Sequence, residues 1–316
     1  MGAGLVTVFG GSGFIGRSIV MRLAETGVRV RVATRRPNEA MVVRPMGDVG
    51  QIQTVQANVR NRRSVELAVR GADCVINLVG ILHEKGAQKF ADVHAEGAAH
   101  VAEAAAAAGV RTLIHMSALG ARKDSPSLYA RSKAEGEERV RAAFPDAVIM
   151  RPSVVFGPDD EFLNRFADLA RFSPALPLVG GGHTRFQPVY VGDVAEAFIA
   201  ALKDDAARGK TFELGGPRTY TLREIYECVM AETGRKRLLL PLPWGLASFM
   251  AAFLQLMPRP LLTPDQVRLL QADNVVTEGA ADLRSLGITP TSLEAIAPTY
   301  LSRFARHLRQ PEGNVA

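Results

Sequence analysis

Tyr129 and Lys133 stand four residues apart in Tyr129-Ala130-Arg131-Ser132-Lys133, which puts a phenol and an ammonium on one face of a helix. A cation beside a phenol favours the phenolate, so the pair can exchange a proton with an oxygen during hydride transfer. The lysine can also hold ribose hydroxyls. A second set of residues suits phosphate. Gly10-Gly11-Ser12-Gly13-Phe14-Ile15-Gly16 allows a tight turn and close approach of backbone N–H groups, and the helix start that follows supplies partial positive charge. Together the two sets predict a nicotinamide dinucleotide as ligand.

The type of dinucleotide follows from Ala33-Thr34-Arg35-Arg36-Pro37. A carboxylate here would bind a ribose 2′-hydroxyl, and none is present. Guanidinium suits a 2′-phosphate, so NADP(H) is expected in preference to NAD(H), with Arg35 as main contact and Arg36 and Thr34 beside it. Asn58 and Val59 are expected to border the adenine, and Leu78, Val79 and Gly80 to flank the nucleotide. His83, His94, His100 and His115 lack metal-ligand spacing, so packing roles and no metal are expected. Asp159-Asp160-Glu161 reads as acids at the positive end of a helix. Arg185 and Gln187 either face a cleft between domains or bond across it.

Elements must position these residues. Short apolar, β-branched runs at Leu5–Phe9, Val28–Ala33, Ile52–Gln56, Cys74–Leu78, Thr112–His115 and Val148–Arg151 predict strands. Helical periodicity occupies Ile15–Glu25, Ser64–Val69, Phe90–Ala108 and Leu128–Ala143. This alternation predicts an α/β fold, a doubly wound parallel (Rossmann) sheet with right-handed crossovers. After Arg151, prolines at 152, 158, 174 and 177 separate shorter elements. Val189–Leu202 reads as a strand end and a helix with Asp193 as N-cap, and Phe212–Leu214 as the last sheet strand. The expected organisation is therefore interleaved. A dinucleotide-binding domain comprises 1–159 and 185–215, a smaller α+β substrate or partner domain comprises 160–184 and 216–309, and 310–316 form a flexible tail. Trp244–Met257 is apolar nearly all round but spans only ~20 Å at 1.5 Å per residue, too short to cross a bilayer. It is expected to be a buried helix of the smaller domain, the alternative being a face for a partner or a membrane surface.

The chain has 316 residues, 47% hydrophobic and 22% charged, enough to bury a core without disulfides. Cys74 and Cys228 provide no framework. The first strand starts beside Met1, leaving no room for a secretory signal, so a cytoplasmic location is expected. A net charge of +6 accompanies no nucleic-acid reading element, and no nucleic acid is expected as a partner.

The glycine loop, Tyr129/Lys133 and Arg151-Pro152-Ser153-Val154-Val155-Phe156-Gly157-Pro158 resemble extended short-chain dehydrogenases/reductases. That resemblance implies that Pro152, Ser153 and Val155 lead to the nicotinamide, and that a Ser or Thr after the fifth strand should hold the substrate oxygen. Ala118 or Leu119 falls there, with Ser117 slightly early as the candidate. Ala143–Ala147, Phe162–Ala167, Thr184–Val194 and Leu269–Val276 are similar to one atypical branch, the nucleotide-binding accessory subunit of respiratory complex I and its bacterial relatives. The resemblance covers nearly the whole chain. It implies firmly held NADPH, an accessory or stabilising role in quinone-linked respiratory metabolism, and complex I or quinone-biosynthesis proteins as partners. A bacterial member peripheral to the inner membrane fits it. Two rivals remain: an active oxidoreductase, epimerase or dehydratase on a small carbonyl or sugar nucleotide, and a sensor of the NADPH/NADP ratio.

Overall fold

A computed structural model describes residues 4–257 and 260–305; the tail expected beyond Arg309 lies outside them. In the first half, β1 (Leu5–Phe9), α1 (Phe14–Glu25), β2 (Arg29–Thr34), β3 (Ile52–Gln56) and α2 (Arg62–Val69) are followed by β4 (Cys74–Asn77) and α3 (Gly97–Ala107). Next come β5 (Thr112–Met116), α4 (Leu128–Ala143) and β6 (Val148–Pro152). The chain then runs through β7 (Val155–Phe156), α5 (Leu163–Phe172), β8 (Ala175–Val179), β9 (Arg185–Phe186), β10 (Val189–Tyr190) and α6 (Val191–Lys203). It ends with β11 (Thr211–Leu214), β12 (Tyr220–Thr221), α7 (Leu222–Glu232), β13 (Leu238–Leu242), α8 (Trp244–Leu254), α9 (Pro264–Leu269) and α10 (Leu293–Leu301).

The expected α/β architecture is present. Seven parallel strands run in the order β11-β6-β5-β4-β1-β2-β3. Strands buried on both faces are apolar almost throughout, as in Cys74-Val75-Ile76-Asn77, where every residue is buried. On one face α1 and α6 supply Ile19, Leu23, Val194 and Phe198; on the other, α2, α3 and α4 supply Val65, Val101, Ala102 and Val140. The order reverses between β1 and β4, so a crevice opens at their carboxyl ends, where such sheets bind ligands. The glycine loop and Leu78–Gly80 sit there.

Three local expectations need correction. Phe90–Ala108 is not one regular helix: Ala91–Glu96 is a π segment and α3 begins at Gly97. Gly136 explains how α4 fits beside it, since a Cβ there would lie 2.1 Å from the His94 carbonyl oxygen. Asp193 is not the N-cap of α6, which is Tyr190; it lies in the first turn and accepts bonds from Thr291 N (2.6 Å) and Oγ1 (2.8 Å). Third, α8 is not a buried helix. Only Ala247 and Ala251 are buried, packed with Val267 of α9, while Phe249, Phe253 and Leu256 are 63%, 60% and 80% exposed. A helix apolar all round carries no periodicity to say which face turns inward. The small residues four apart decide it, because they let α9 approach.

The last part of the chain returns to the sheet. Asn274 accepts from Ser153 Oγ at 2.7 Å through its side chain and from Gln187 N at 3.0 Å through its backbone, while Thr277 N donates to Glu213 Oε2 at 2.8 Å. Glu213 also meets Arg151 (3.4 Å), which forms a fork with Glu137 at 2.7 and 2.9 Å. Both carboxylates are buried, so the cluster depends on all three members. We predict that Glu137→Ala lowers the unfolding free energy by about 2 kcal/mol, because Arg151 keeps only the longer contact. Urea denaturation of variant and parent measures the difference; equal midpoints and slopes would refute it.

Candidate functional site

The glycine loop is built to leave donors free. Gly10, at φ +82°, turns the chain out of β1, and its N–H donates to Ala33 O at 3.2 Å. Gly13 is the N-cap of α1 in an extended conformation, with no side-chain cap and no acidic residue in the first turn. The N–H groups of Phe14, Ile15 and Gly16 thus meet no capping side chain, and with Ser12 beside them they form the uncapped positive end of a helix. A Cβ on Gly16 would lie 2.3 Å from Gly10 O, and one on Gly10 would lie 3.3 Å from the Leu78 carbonyl carbon. Loop, helix and the end of β4 are therefore in near contact.

The two arginines after β2 differ. Arg36 pairs with Glu39 at 3.0 Å, both well exposed, and Thr34 Oγ1 accepts from Arg36 N at 3.4 Å. Arg35 is exposed and pairs with no carboxylate among the described residues. Asn58 and Val59 are largely occupied by the protein itself. Asn58 Oδ1 caps Arg60 N at 3.1 Å, and Val59 is buried, with its carbonyl bonded to His100 Nδ1 at 2.8 Å. Leu78 and Val79 are half-buried and Gly80 is exposed. Pro152 and Ser153 are buried and Val155 half-buried, with Ser153 spent on Asn274.

Lys133 is buried, and its Nζ donates to Met116 O at 3.2 Å, 6.0 Å from the Tyr129 ring centroid and directly beneath Gly80. Burial lowers its pKa to about 8, opposed by Glu137 one turn on. Tyr129 moves the other way from the expectation of a cation-stabilised phenolate: burial raises it to about 12. Desolvation of the phenolate exceeds the pull of the lysine across this distance. Ser117 ends β5 with its N–H on Met150 O (2.7 Å), but its buried Oγ has no hydrogen-bond partner among the described residues. The three candidate catalytic side chains are therefore not joined by hydrogen bonds.

Sequence reasoning missed the group that organises this corner. His94, weighed only as a metal ligand or a packing residue, is buried in the π segment, stacked on Phe90 (5.3 Å) and edge-on to Tyr129 (5.4 Å). Its Nε2 accepts from Ile81 N at 2.9 Å, so in the neutral ring Nδ1 carries the proton and donates to Ser132 Oγ at 2.9 Å. Burial, then the charge of Lys133, lowers His94 to about 2. His115 is buried too, bonded to Asn77 at 3.2 Å and lowered to about 3 by burial and by Lys133. No cluster able to hold a metal occurs among the described residues. Arg185 pairs with Asp273 at 2.7 Å, and Gln187 bridges Gly216 O (2.8 Å) and Val276 N (2.9 Å), so both tie the returning chain to the sheet. Asp160 precedes α5, which starts at Leu163, and accepts from Asn164 N at 3.1 Å and Tyr300 Oη at 2.7 Å.

Comparison with known proteins gives the family and the fold. Residues 6–215 match the model of the NAD dependent epimerase/dehydratase family. The mouse mitochondrial NADH dehydrogenase (ubiquinone) 1 alpha subcomplex subunit 9 is 39% identical over 293 residues, 92% of this chain and 78% of that one. A ceramide reductase of Caulobacter vibrioides is 34% identical over 242 residues, 76% of this chain and 74% of the relative. A dTDP-glucose 4,6-dehydratase from Streptomyces venezuelae, solved with NAD bound, superposes with a TM-score of 0.73 at 20% identity, covering 95% of this chain and 96% of that one.

The two histidines make the unliganded protein acid-sensitive. Their folded-state pKa values lie below the unfolded value, so between about pH 6.5 and 3 the unfolded chain binds more protons and stability falls as pH falls. Each histidine contributes up to about 1.4 kcal/mol per pH unit in that window. Urea midpoints measured from pH 7 to 4 should decline steeply, and His115→Phe should flatten the decline; an unchanged slope in that variant would contradict the assignment.

Proposed function

The chain belongs to the NAD dependent epimerase/dehydratase family, within it to the relatives of complex I subunit 9, and from that premise we propose that it binds NADP(H) as an accessory, stabilising factor in quinone-linked respiratory metabolism. The observation that carries the reading is the uncapped, acid-free start of α1 facing a second-strand end whose Arg35 is unpaired. The helix start suits the pyrophosphate and Arg35 the 2′-phosphate, with Thr34 and Arg36 beside it. Lys133, beneath Gly80, would hold the nicotinamide ribose. The bound dinucleotide supplies hydride chemistry when a substrate is present; here its main effect is to stabilise the folded state by mass action.

The accessory reading is favoured over turnover by the proton-transfer pair itself. Tyr129, Lys133 and Ser117 are not joined by hydrogen bonds among the described residues, and the hydroxyl expected to hold a substrate oxygen lies buried at Ser117. The exposed apolar face of α8 supports a contact with a respiratory partner or the periphery of a membrane. No helix of the described residues is long and apolar enough to cross a bilayer. The second reading is a reductase using Tyr129 and Lys133, and the specific observation in its favour is the bacterial relative named as a ceramide reductase.

Titration with NADPH and NADH tests the cofactor, and thermal unfolding tests the role. NADPH should bind more tightly and, at a hundredfold excess over its Kd, stabilise the protein by about 2.7 kcal/mol. Arg35→Gln should weaken NADPH about tenfold or more and leave NADH unchanged; tighter NADH binding in the parent would reject the preference. Tyr129→Phe should preserve the stabilisation and the cellular phenotype, whereas a reductase would lose its activity with the hydroxyl.

A further inference from the structure

The first turn of α4, which carries Tyr129 and leads to Lys133, is not held by its own segment alone. Its N-cap Ser127 satisfies one donor, accepting from Ala130 N at 3.3 Å. The others are met from 136 to 138 residues away, by one carboxylate of α9. Asp265 Oδ1 accepts from Leu128 N at 2.7 Å, and Oδ2 accepts from Tyr129 N at 3.0 Å and from Ser127 Oγ at 2.7 Å. Its side chain is 14% exposed, with Arg268 3.7 Å away. A carboxylate on free N–H groups at a helix start is favourable, and among the described residues it is the side chain that meets Leu128 N and Tyr129 N.

The other end of this contact is equally defined. Asp265 lies in the first turn of α9, whose start is fixed by the reciprocal Thr263–Gln266 capping box. Val267 seats α9 on Ala247 and Ala251 of α8. With six residues, α9 cannot be stable in isolation, so its docking on α8 and on the start of α4 is a local equilibrium.

We propose that Asp265 is a positioning residue of the dinucleotide site, supplied by the C-terminal part of the chain, and that through it nucleotide occupancy and docking of the α8–α9 pair are coupled. The inference rests on the dinucleotide reading above. A ligand held by Lys133 and bordered by Tyr129 favours an ordered α4 start; an ordered start favours α9 in place; by reciprocity, α9 in place tightens ligand binding.

Hydrogen exchange of the full chain with and without saturating NADPH tests it, read at 10–18 and at 261–270 in the parent, Asp265→Asn and Ser127→Ala. In the parent, NADPH should slow exchange in both segments, by about fivefold or more at 261–270. Asp265→Asn keeps the shape, but its amide nitrogen cannot accept from an N–H. It should raise the Kd for NADPH about fivefold and lose the response at 261–270 while keeping that at 10–18. Ser127→Ala should give an intermediate loss and serves if Asp265→Asn does not melt cooperatively. A parent response at 10–18 with none at 261–270 would overturn the coupling alone, as would a full response at 261–270 in Asp265→Asn. No response at 10–18 would overturn the dinucleotide reading and the coupling with it.

Discussion

The constraint from which the rest follows is that the N-terminal donors of α1 are left uncapped. Helix starts normally satisfy such groups with a Ser, Thr, Asp or Asn side chain; here the N-cap is Gly13 and no side chain bonds to it. Gly13 carries no side chain to cover them, and Gly16 is packed so closely that a Cβ there would meet Gly10 O at 2.3 Å. Donors left open in this way suit an anion supplied from outside. Sheet order then fixes where that anion lies, because the strand order reverses between β1 and β4 and opens a crevice at that point.

A second constraint arises around Lys133. An ammonium buried beneath Gly80, with a carbonyl as its hydrogen-bond partner, raises the electrostatic cost of any further positive charge nearby. His94 and His115 both answer by staying neutral. A neutral His94 has one donor and one acceptor, and both are used, on Ser132 and on Ile81. Burial first, and the charge of Lys133 second, thus keep neutral a histidine that in turn holds the loop after β4. This chain of cause runs through the corner where the loop after β4, the π segment and α4 meet.

How much of this was legible in the sequence depends on the range of the interaction. The sheet, the glycine turn and the four-residue spacing of Tyr129 and Lys133 are local patterns, and the residues stand as periodicity requires. Asp193 falls in the first turn because the choice between N-cap and first turn rests on where the helix starts, a matter of three residues. The π segment depends on Gly136 of a different helix allowing the His94 carbonyl within reach. For α8, uniform apolarity carried no phase information, and the small residues Ala247 and Ala251 were the usable signal. Asn274 and Asp265 were beyond reach: a polar residue in a late segment does not announce that its partner lies more than a hundred residues earlier.

Those late segments bear on how the strand ends are held. Asn274 fastens Ser153, Thr291 fastens Asp193, and Thr277 fastens Glu213 beside Arg151. Each bond makes the polar groups near the strand ends part of the scaffold, leaving fewer free to follow a reacting substrate. Ser117 differs: just after β5, its buried hydroxyl has no hydrogen-bond partner among the described residues. Catalysis needs donors aimed at charge that develops in the transition state. Here Asn274, Asp193 and Glu213 are bonded within the protein, while the donors at the head of α1 carry no side-chain cap. The start of α1 thus keeps a donor geometry that suits a phosphate.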